Sequence, residues 1–321
     1  MSGRPVLEVG GTHVLASRVD TATWRMCPQS AHRLPLDGNG TADEILATLA
    51  TCARKLGPMP SQTLAVAMPG PFDYGTGIGQ FSGVGKFDAL AGVDVGQGLR
   101  ARLAQPPARV AFVNDAGAFG LGEWLAGAAR GYQRAVAITL GTGVGSAFVA
   151  AGRIVSRGPS VPPDGHVYRL LVGGRPLEDT VSRRAIVAAY RSLAPAAAIT
   201  GLDVREVAAR ALGGDENARR VFSEAFHQLG KALAPWLTRF GAQILVVGGG
   251  LTASWSLMEP PFRRGLGPMP GELVLVKSAD PAAATAAGAA WHSRGEAGRS
   301  LAGHARSGPQ RTLTSAGPSG R

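Results

Sequence analysis

Cysteine is nearly missing from this chain: Cys27 and Cys52 are the only two, and neither belongs to a paired motif. That argues against a disulfide framework or a cysteine zinc cluster and fits a reducing, cytoplasmic setting. No apolar run of membrane-spanning character is present either. The longest uncharged stretches, 135–152 and 241–258, are broken by Gly, Thr and Ser and read as buried strands with turns. The first residues pass directly into a strand near residues 5–9 without a basic and then an apolar region, so no signal peptide is read. Basic runs are lacking too, although Lys plus Arg exceed Asp plus Glu by 33 to 22, a formal charge of +11. Five arginines and one glutamate fall within 293–321, a Gly, Ser and Pro-rich stretch read as a disordered basic tail over 295–321. The remaining excess is dispersed, so neither nucleic acid nor a membrane surface is expected as a partner.

What is present is 45% hydrophobic sequence over 321 residues, enough for a sizeable core in two lobes. Short β-branched runs at 6–9, 64–68, 110–113, 136–140 and 244–247 alternate with Ala-rich helical stretches at 44–55, 116–129, 183–193, 215–238 and 282–292. The pattern is α/β. Several strands run straight into glycines, and in such folds ligands bind beyond the carboxyl ends of strands, where turns expose backbone N–H groups.

Three turns are candidates for one nucleotide site. In Glu8-Val9-Gly10-Gly11-Thr12 the glycine pair allows unusual dihedrals and close backbone approach to a phosphate, and Thr12 adds a hydroxyl. A plain hairpin explains the same pair equally well. Gly141-Thr142-Gly143-Val144-Gly145 alternates glycine with small residues between apolar runs and is the better phosphate cradle. Gly248-Gly249-Gly250 could seat an adenosine against bare backbone, or serve only as a strand-to-helix turn. Between the first two lies Phe112-Val113-Asn114-Asp115, an apolar strand ending in an amide and a carboxylate. Asp115 can be a helix N-cap. Facing the same crevice as the glycine turns, it can instead take the proton of an attacking alcohol in phosphoryl transfer, with Asn114 bonding a neighbouring hydroxyl.

In this order the motifs resemble the ROK family (repressor, open reading frame, kinase). They are residues 8–12, Ala67-Met68-Pro69-Gly70-Pro71-Phe72-Asp73, Asn114-Asp115 with Gly122-Glu123, residues 139–145, Gly165-His166, Leu177-Glu178, Gly248 to Gly250, and Ala286-Ala287-Gly288-Ala289-Ala290. The resemblance implies a two-lobed α/β fold of the actin/hexokinase-like ATPase kind. Its lobes would be 1–115 plus 281–294, and 116–280, with substrate in the cleft between them. It also implies ATP with Mg2+ carried on its phosphates, and transfer to the primary hydroxyl of a hexose, amino sugar or sugar-like cyclitol. Asp115 would be the general base. Asn114, His166, Glu178, Gly70 and Asp164 would line the substrate pocket. Glu8, Gly10, Gly11, Thr12, Gly141, Thr142, Gly143, Gly248, Gly249 and Gly250 would hold the nucleotide, and the chain would form a homodimer.

The departures from the family pattern concern the substrate. Glu8 stands where the first turn normally has aspartate. Pro163-Asp164-Gly165-His166 lacks the leading glutamate of the sugar motif, a place Asp164 could fill only if the loop shifts. Residues 167–177 hold no cysteine, which implies a subgroup without the zinc site. An unmatched buried polar group costs about 1 to 3 kcal/mol, so standard glucose binding is disfavoured. Kanosamine or a C7 cyclitol, substrates of similar kinases in actinomycete antibiotic pathways, fit a remodelled pocket and an Ala, Arg and Gly-rich composition. Glucose itself and a non-catalytic sugar-binding protein remain the alternatives. A DNA-binding repressor is disfavoured because only seven residues precede Glu8. Residues 80–87, with Phe81, Lys86 and Phe87, lie where the family carries a substrate-covering loop, or form a solvated loop with anchoring rings. His13, His32 and His227 lack metal-ligand spacing.

Overall fold

The computed structural model describes residues 3–59, 62–193, 202–269 and 271–295, so the tail expected to be disordered lies, from residue 296 on, outside the described residues. The first half of the chain runs β1 (Arg4–Val9), β2 (His13–Asp20), β3 (Arg25–Pro35), α1 (Ala42–Arg54), β4 (Thr63–Met68), the short hairpin β5 (Phe72–Asp73) and β6 (Ile78–Gly79), α2 (Val95–Ala101), β7 (Arg109–Asn114) and α3 (Asp115–Ala126). The second half runs β8 (Arg134–Leu140), β9 (Val144–Ala150), β10 (Arg153–Ile154), the hairpin β11 (Leu171–Val172) and β12 (Arg175–Pro176), α4 (Glu178–Val181), α5 (Arg183–Leu193), α6 (Val204–Leu212), α7 (Glu216–Phe240), β13 (Ile244–Gly248), α8 (Trp255–Leu266), β14 (Val274–Lys277) and α9 (Pro281–His292).

Both halves build a five-stranded sheet on one plan. The strand orders are β3-β2-β1-β4-β7 and β10-β9-β8-β13-β14. The first three strands of each are antiparallel neighbours, and the last two join in parallel. The repeated plan places a hairpin turn at the same edge of each sheet: residues 10–12 between β1 and β2, and residues 141–143 between β8 and β9.

Local chemistry sets the helix ends. Thr41 and Glu44 form a reciprocal capping box that starts α1, whose apolar stripe of Ile45, Leu46, Leu49 and Ala53 packs under the first sheet. Asp215 caps α7, Gly241 ends it in the left-handed region, and Phe222, Phe226, Leu229 and Leu233 face the second core. A third apolar layer links the halves, with Val6, Ala65 and Val113 from one sheet, Ala147 and Val149 from the other, and Leu121, Leu125, Ala286 and Ala290 from α3 and α9. The last helix therefore leaves the second sheet and packs beside the first. Among the described residues no helix is long and apolar enough to cross a membrane.

Candidate active site

β7 ends and α3 begins between Asn114 and Asp115, and the two side chains divide the work of that junction. Asn114 is the N-cap: its Oδ1 accepts the Gly117 N–H at 3.0 Å. The capping reading of Asp115 is thus corrected. Once Asn114 supplies the acceptor, the Asp115 carboxyl takes the adjacent Ala116 N–H, at 2.8 Å to Oδ1, and is also held by its own N–H and the Asn114 amide. The Asn114 Nδ2 donates to the Tyr74 hydroxyl at 3.0 Å, and that hydroxyl donates to the Met68 carbonyl at 3.2 Å. Tyr74 is a site residue that sequence reasoning missed. Its place in the Asp73-Tyr74-Gly75 turn gave no sign of the contact with Asn114, 40 positions further along the chain.

Sheet register brings a second carboxyl to the same place. Glu8 pairs with Ala67, and Ala67 with Val113, so Glu8 and Asp115 emerge together at the carboxyl ends of parallel strands. Burial raises the Asp115 carboxyl above the ordinary aspartate range, and Lys86 only partly offsets this. Glu8 is pushed up to about 8, first by burial and then by the charge of Asp115, with Arg33 opposing. Its Oε2 has no exposed surface and no hydrogen-bond partner among the described residues. Two acids cannot both ionise cheaply here, and Glu8, pushed up to about 8, holds its proton at neutral pH.

The first glycine turn follows Glu8 by two residues, and the second meets α3 at Ala116, beside Asp115. Gly10 donates its N–H to the His13 carbonyl at 2.8 Å, which closes the hairpin, and neither Gly10 nor Gly11 has a positive φ. The expected unusual dihedrals are absent. What matters at Gly10 is the missing side chain, since a Cβ there would lie 3.1 Å from the His13 ring. In the second turn Gly143 would put a Cβ 2.8 Å from the Glu178 carboxylate, and Gly145 would put one 2.7 Å from Ala116 Cβ. Those two glycines let α4 and α3 come close. Gly141 has open space in its Cβ direction. In the third turn Gly249 has φ 88° and ψ 170°, which only glycine adopts readily, and a Cβ there would lie 2.4 Å from the Leu140 carbonyl. The chain at 249 therefore crosses over the last residue before Gly141, setting the second and third turns side by side. Gly250 again is open. Thr12 and Thr142 are exposed.

The expected substrate residues divide into two groups. His166 is half-buried and within electrostatic reach of Asp115, although burial and then Arg169 hold its ring below the usual histidine range. Its backbone is fixed on both sides by Ser146 of β9, whose hydroxyl donates to the Gly165 carbonyl at 2.7 Å and accepts the Val167 N–H at 3.1 Å. Ser146, one residue past the glycine run, was also missed. Gly70 adjoins Tyr74, with a Cβ position 3.3 Å from its hydroxyl. Asp164, by contrast, is exposed, has a left-handed φ of 56° and faces Arg169 at 3.6 Å. Glu178 accepts the Val144 N–H at 2.9 Å and so braces the 141–143 turn. Glu123 is buried, takes the Ser278 hydroxyl and the Ala128 N–H, and lies at the far end of α3. A groove of about 540 Å³ lined by Arg157, Pro163, Trp236 and Arg239 includes none of the glycine turns.

Gly141 and Gly250 leave unobstructed backbone at adjacent turns. Among the described residues no group of three or more His, Cys, Asp or Glu side chains could hold a metal ion.

These features define a two-lobed α/β protein of the actin/hexokinase-like ATPase fold. Solved structures agree. A ROK hexokinase from Thermus thermophilus superposes with a TM-score of 0.69 at 24% identity, covering 90% of this chain and 97% of that one. A ROK family glucokinase from Streptomyces griseus, in complex with glucose and AMPPNP, superposes with a TM-score of 0.71 at 21% identity, covering 90% and 98%. In sequence, a glucokinase of Thermotoga maritima is 27% identical over 218 residues, 62% of this chain and 67% of that protein. The ROK family profile matches residues 6–291, and the chain belongs to the ROK family.

Proposed function

We propose that this chain is an ATP-dependent sugar kinase that phosphorylates the primary hydroxyl of an amino sugar, a sugar-like cyclitol or another hexose, with Asp115 as general base. The observation that supports this reading is that Asp115, with the cap supplied by Asn114, ends a strand joined through β4 to the strand that leads into residues 10–12, while Gly145 lies against Ala116 and Gly249 against Leu140. Family membership and the glucokinase relative support the same chemistry.

In this reading the N–H groups of Thr12, Thr142 and Gly143 and the two threonine hydroxyls bind phosphate oxygens, and Gly249 and Gly250 admit the adenosine. Bound MgATP supplies the phosphoryl group and part of the charge neutralisation. Asp115 holds the acceptor hydroxyl and takes its proton as the oxygen attacks, while Asn114 and Tyr74 keep the strand end in place. His166, held by Ser146, meets a second hydroxyl. Closure of the lobes around both ligands excludes water from the transfer.

The substrate reading follows from what the pocket lacks. Pro163 presents no carboxylate, Asp164 points at Arg169, and Glu178 is engaged with Val144. A glucose ring with a full set of hydroxyls would leave several unmatched, which disfavours it against an acceptor with fewer or differently placed polar groups. ADP release should be measured with MgATP, and with polyphosphate as a second donor, against glucose, mannose, N-acetylglucosamine, glucosamine, kanosamine and a C7 cyclitol. Preference for an amino sugar or cyclitol over glucose is expected. Glucose turnover above all others would defeat the substrate reading and leave the kinase reading intact.

A further inference from the structure

The loop at 80–87 fixes one cation over the first hairpin turn. Phe81 and Phe87 are fully buried, with ring centroids 5.4 Å apart, so both ends of the loop are anchored in the first core. Phe87 donates its N–H to the Gly38 carbonyl at 2.5 Å, and the Asp88 carboxylate accepts the Val84 and Gly85 N–H groups at 3.0 and 3.3 Å. Lys86 leaves this braced segment half-buried. Its stem passes Gly38, where a Cβ would lie 3.6 Å from Lys86 Cβ, and reaches Gly11, where one would lie 3.5 Å from Lys86 Cδ. The side chain therefore lies along the turn expected to hold phosphates. It forms no ion pair among the described residues. Asp115 nevertheless feels its charge.

We propose that Lys86 is a phosphoryl-binding residue whose ammonium neutralises the terminal phosphate of the bound triphosphate and follows that charge through the transfer. The role rests on the reading of residues 10–12 as a phosphate turn. Lys86 is placed between the two places where charge changes: the phosphate turn at Gly11 and the base at Asp115. Glu8, beside both, is protonated at neutral pH and carries no charge to oppose it. In the transfer the acceptor oxygen bonds the terminal phosphorus, and the bond from that phosphorus to the bridging oxygen breaks. The electron pair stays on the diphosphate, and the hydroxyl proton passes to Asp115. Lys86 takes no part in the proton transfer and supplies positive charge near the transferring group, where charge stabilisation matters most. Lysine, as a point charge on a flexible stem, suits a phosphate whose position shifts during the reaction.

Calorimetric titration of the full chain with AMPPNP and with ADP, each with Mg2+, in wild type, Lys86→Gln and Lys86→Arg, tests this. The expected result for Lys86→Gln is a loss of about 10- to 100-fold in AMPPNP affinity, the size of one charge-assisted hydrogen bond, with ADP affinity held within about twofold. Lys86→Arg should recover most of the difference. Equal loss for both nucleotides would make Lys86 a structural support of the turn and overturn the proposal. Intact AMPPNP affinity with a raised KM for the sugar would assign Lys86 to the acceptor and overturn it as well. Failure of the wild type to bind either nucleotide would remove the phosphate-turn reading, and the proposal with it.

Discussion

Gly122 of α3 and Gly288 of α9 occupy the same position in their two helices, the eighth residue of each, and each faces the backbone of the other. A Cβ on Gly122 would lie 1.7 Å from the Ala284 carbonyl oxygen, and one on Gly288 would lie 1.8 Å from the Ala118 carbonyl oxygen. Ala118 and Ala284 are likewise matched, each the fourth residue of its helix. The two sheets of one plan are thus joined by two helices crossing reciprocally at glycine.

Gly122→Ala and Gly288→Ala should each cost about 3 kcal/mol or more, because backbone cannot yield as a side chain can. Thermal unfolding should shift down by about 6 °C or more. Gly141→Ala is the contrast. Its Cβ meets open space, so the melting temperature should stay within about 1 °C, while nucleotide affinity falls. A Gly141→Ala variant that melts early and binds normally would reverse the assignment.

Glu8 makes stability depend on pH. Its folded pKa of about 8 exceeds its ordinary value of 4.5, so between these values the folded chain binds the extra proton. Stability therefore falls as pH rises from about 4.5 to about 8, and the penalty is complete above that. Glu8→Gln should raise the melting temperature of the ligand-free protein at about pH 9, by the equivalent of up to about 5 kcal/mol. At about pH 4.5 it should change little. Equal effects at both pH values would show that Glu8 ionises normally.

Ser146 predicts a positioning effect on the substrate side. Ser146→Ala removes both bonds that hold the chain around His166 and should lower stability by about 1 to 2 kcal/mol. The KM for the sugar should rise about 10-fold, with the KM for ATP unchanged. A change in the ATP parameter alone would place the 163–167 loop on the wrong side of the site.

Pro163 can be exchanged for the carboxylate that the family pattern places there. Pro163→Glu should raise kcat/KM for glucose, relative to the preferred acceptor, by about 10-fold, the discrimination one paired hydroxyl provides. No change in the ratio would move the selectivity elsewhere in the pocket.

Much of this architecture is legible in the residues because its strands and glycines follow one another directly. All five strands and all five helices read from periodicity are present, and α7 runs through Pro235 as expected. β2 is not legible, because Arg18 in its middle looks solvated. In the folded chain Arg18 is 3% exposed and donates to the carbonyls of Leu56 and Gly3 and to Gln62. α8 is hidden by Pro260 and Pro261, which read as helix breakers. In the site, the order of strands and glycines puts Asp115 and each turn directly after the end of a strand. It cannot show that Asn114 takes over the cap, that Glu178 bonds Val144, or that Asp164 faces Arg169, because each is settled by a partner distant along the chain or by the backbone of a tight turn.

Asp115→Asn is the most direct test of the central claim. The amide keeps the shape and can still accept the Ala116 N–H, but it cannot take a proton. Single-turnover phosphoryl transfer to the preferred acceptor should fall by about 10²- to 10⁴-fold, while calorimetric affinities for acceptor and AMPPNP stay within about threefold. Transfer by the Asp115→Asn variant at the wild-type rate would contradict Asp115 as the base.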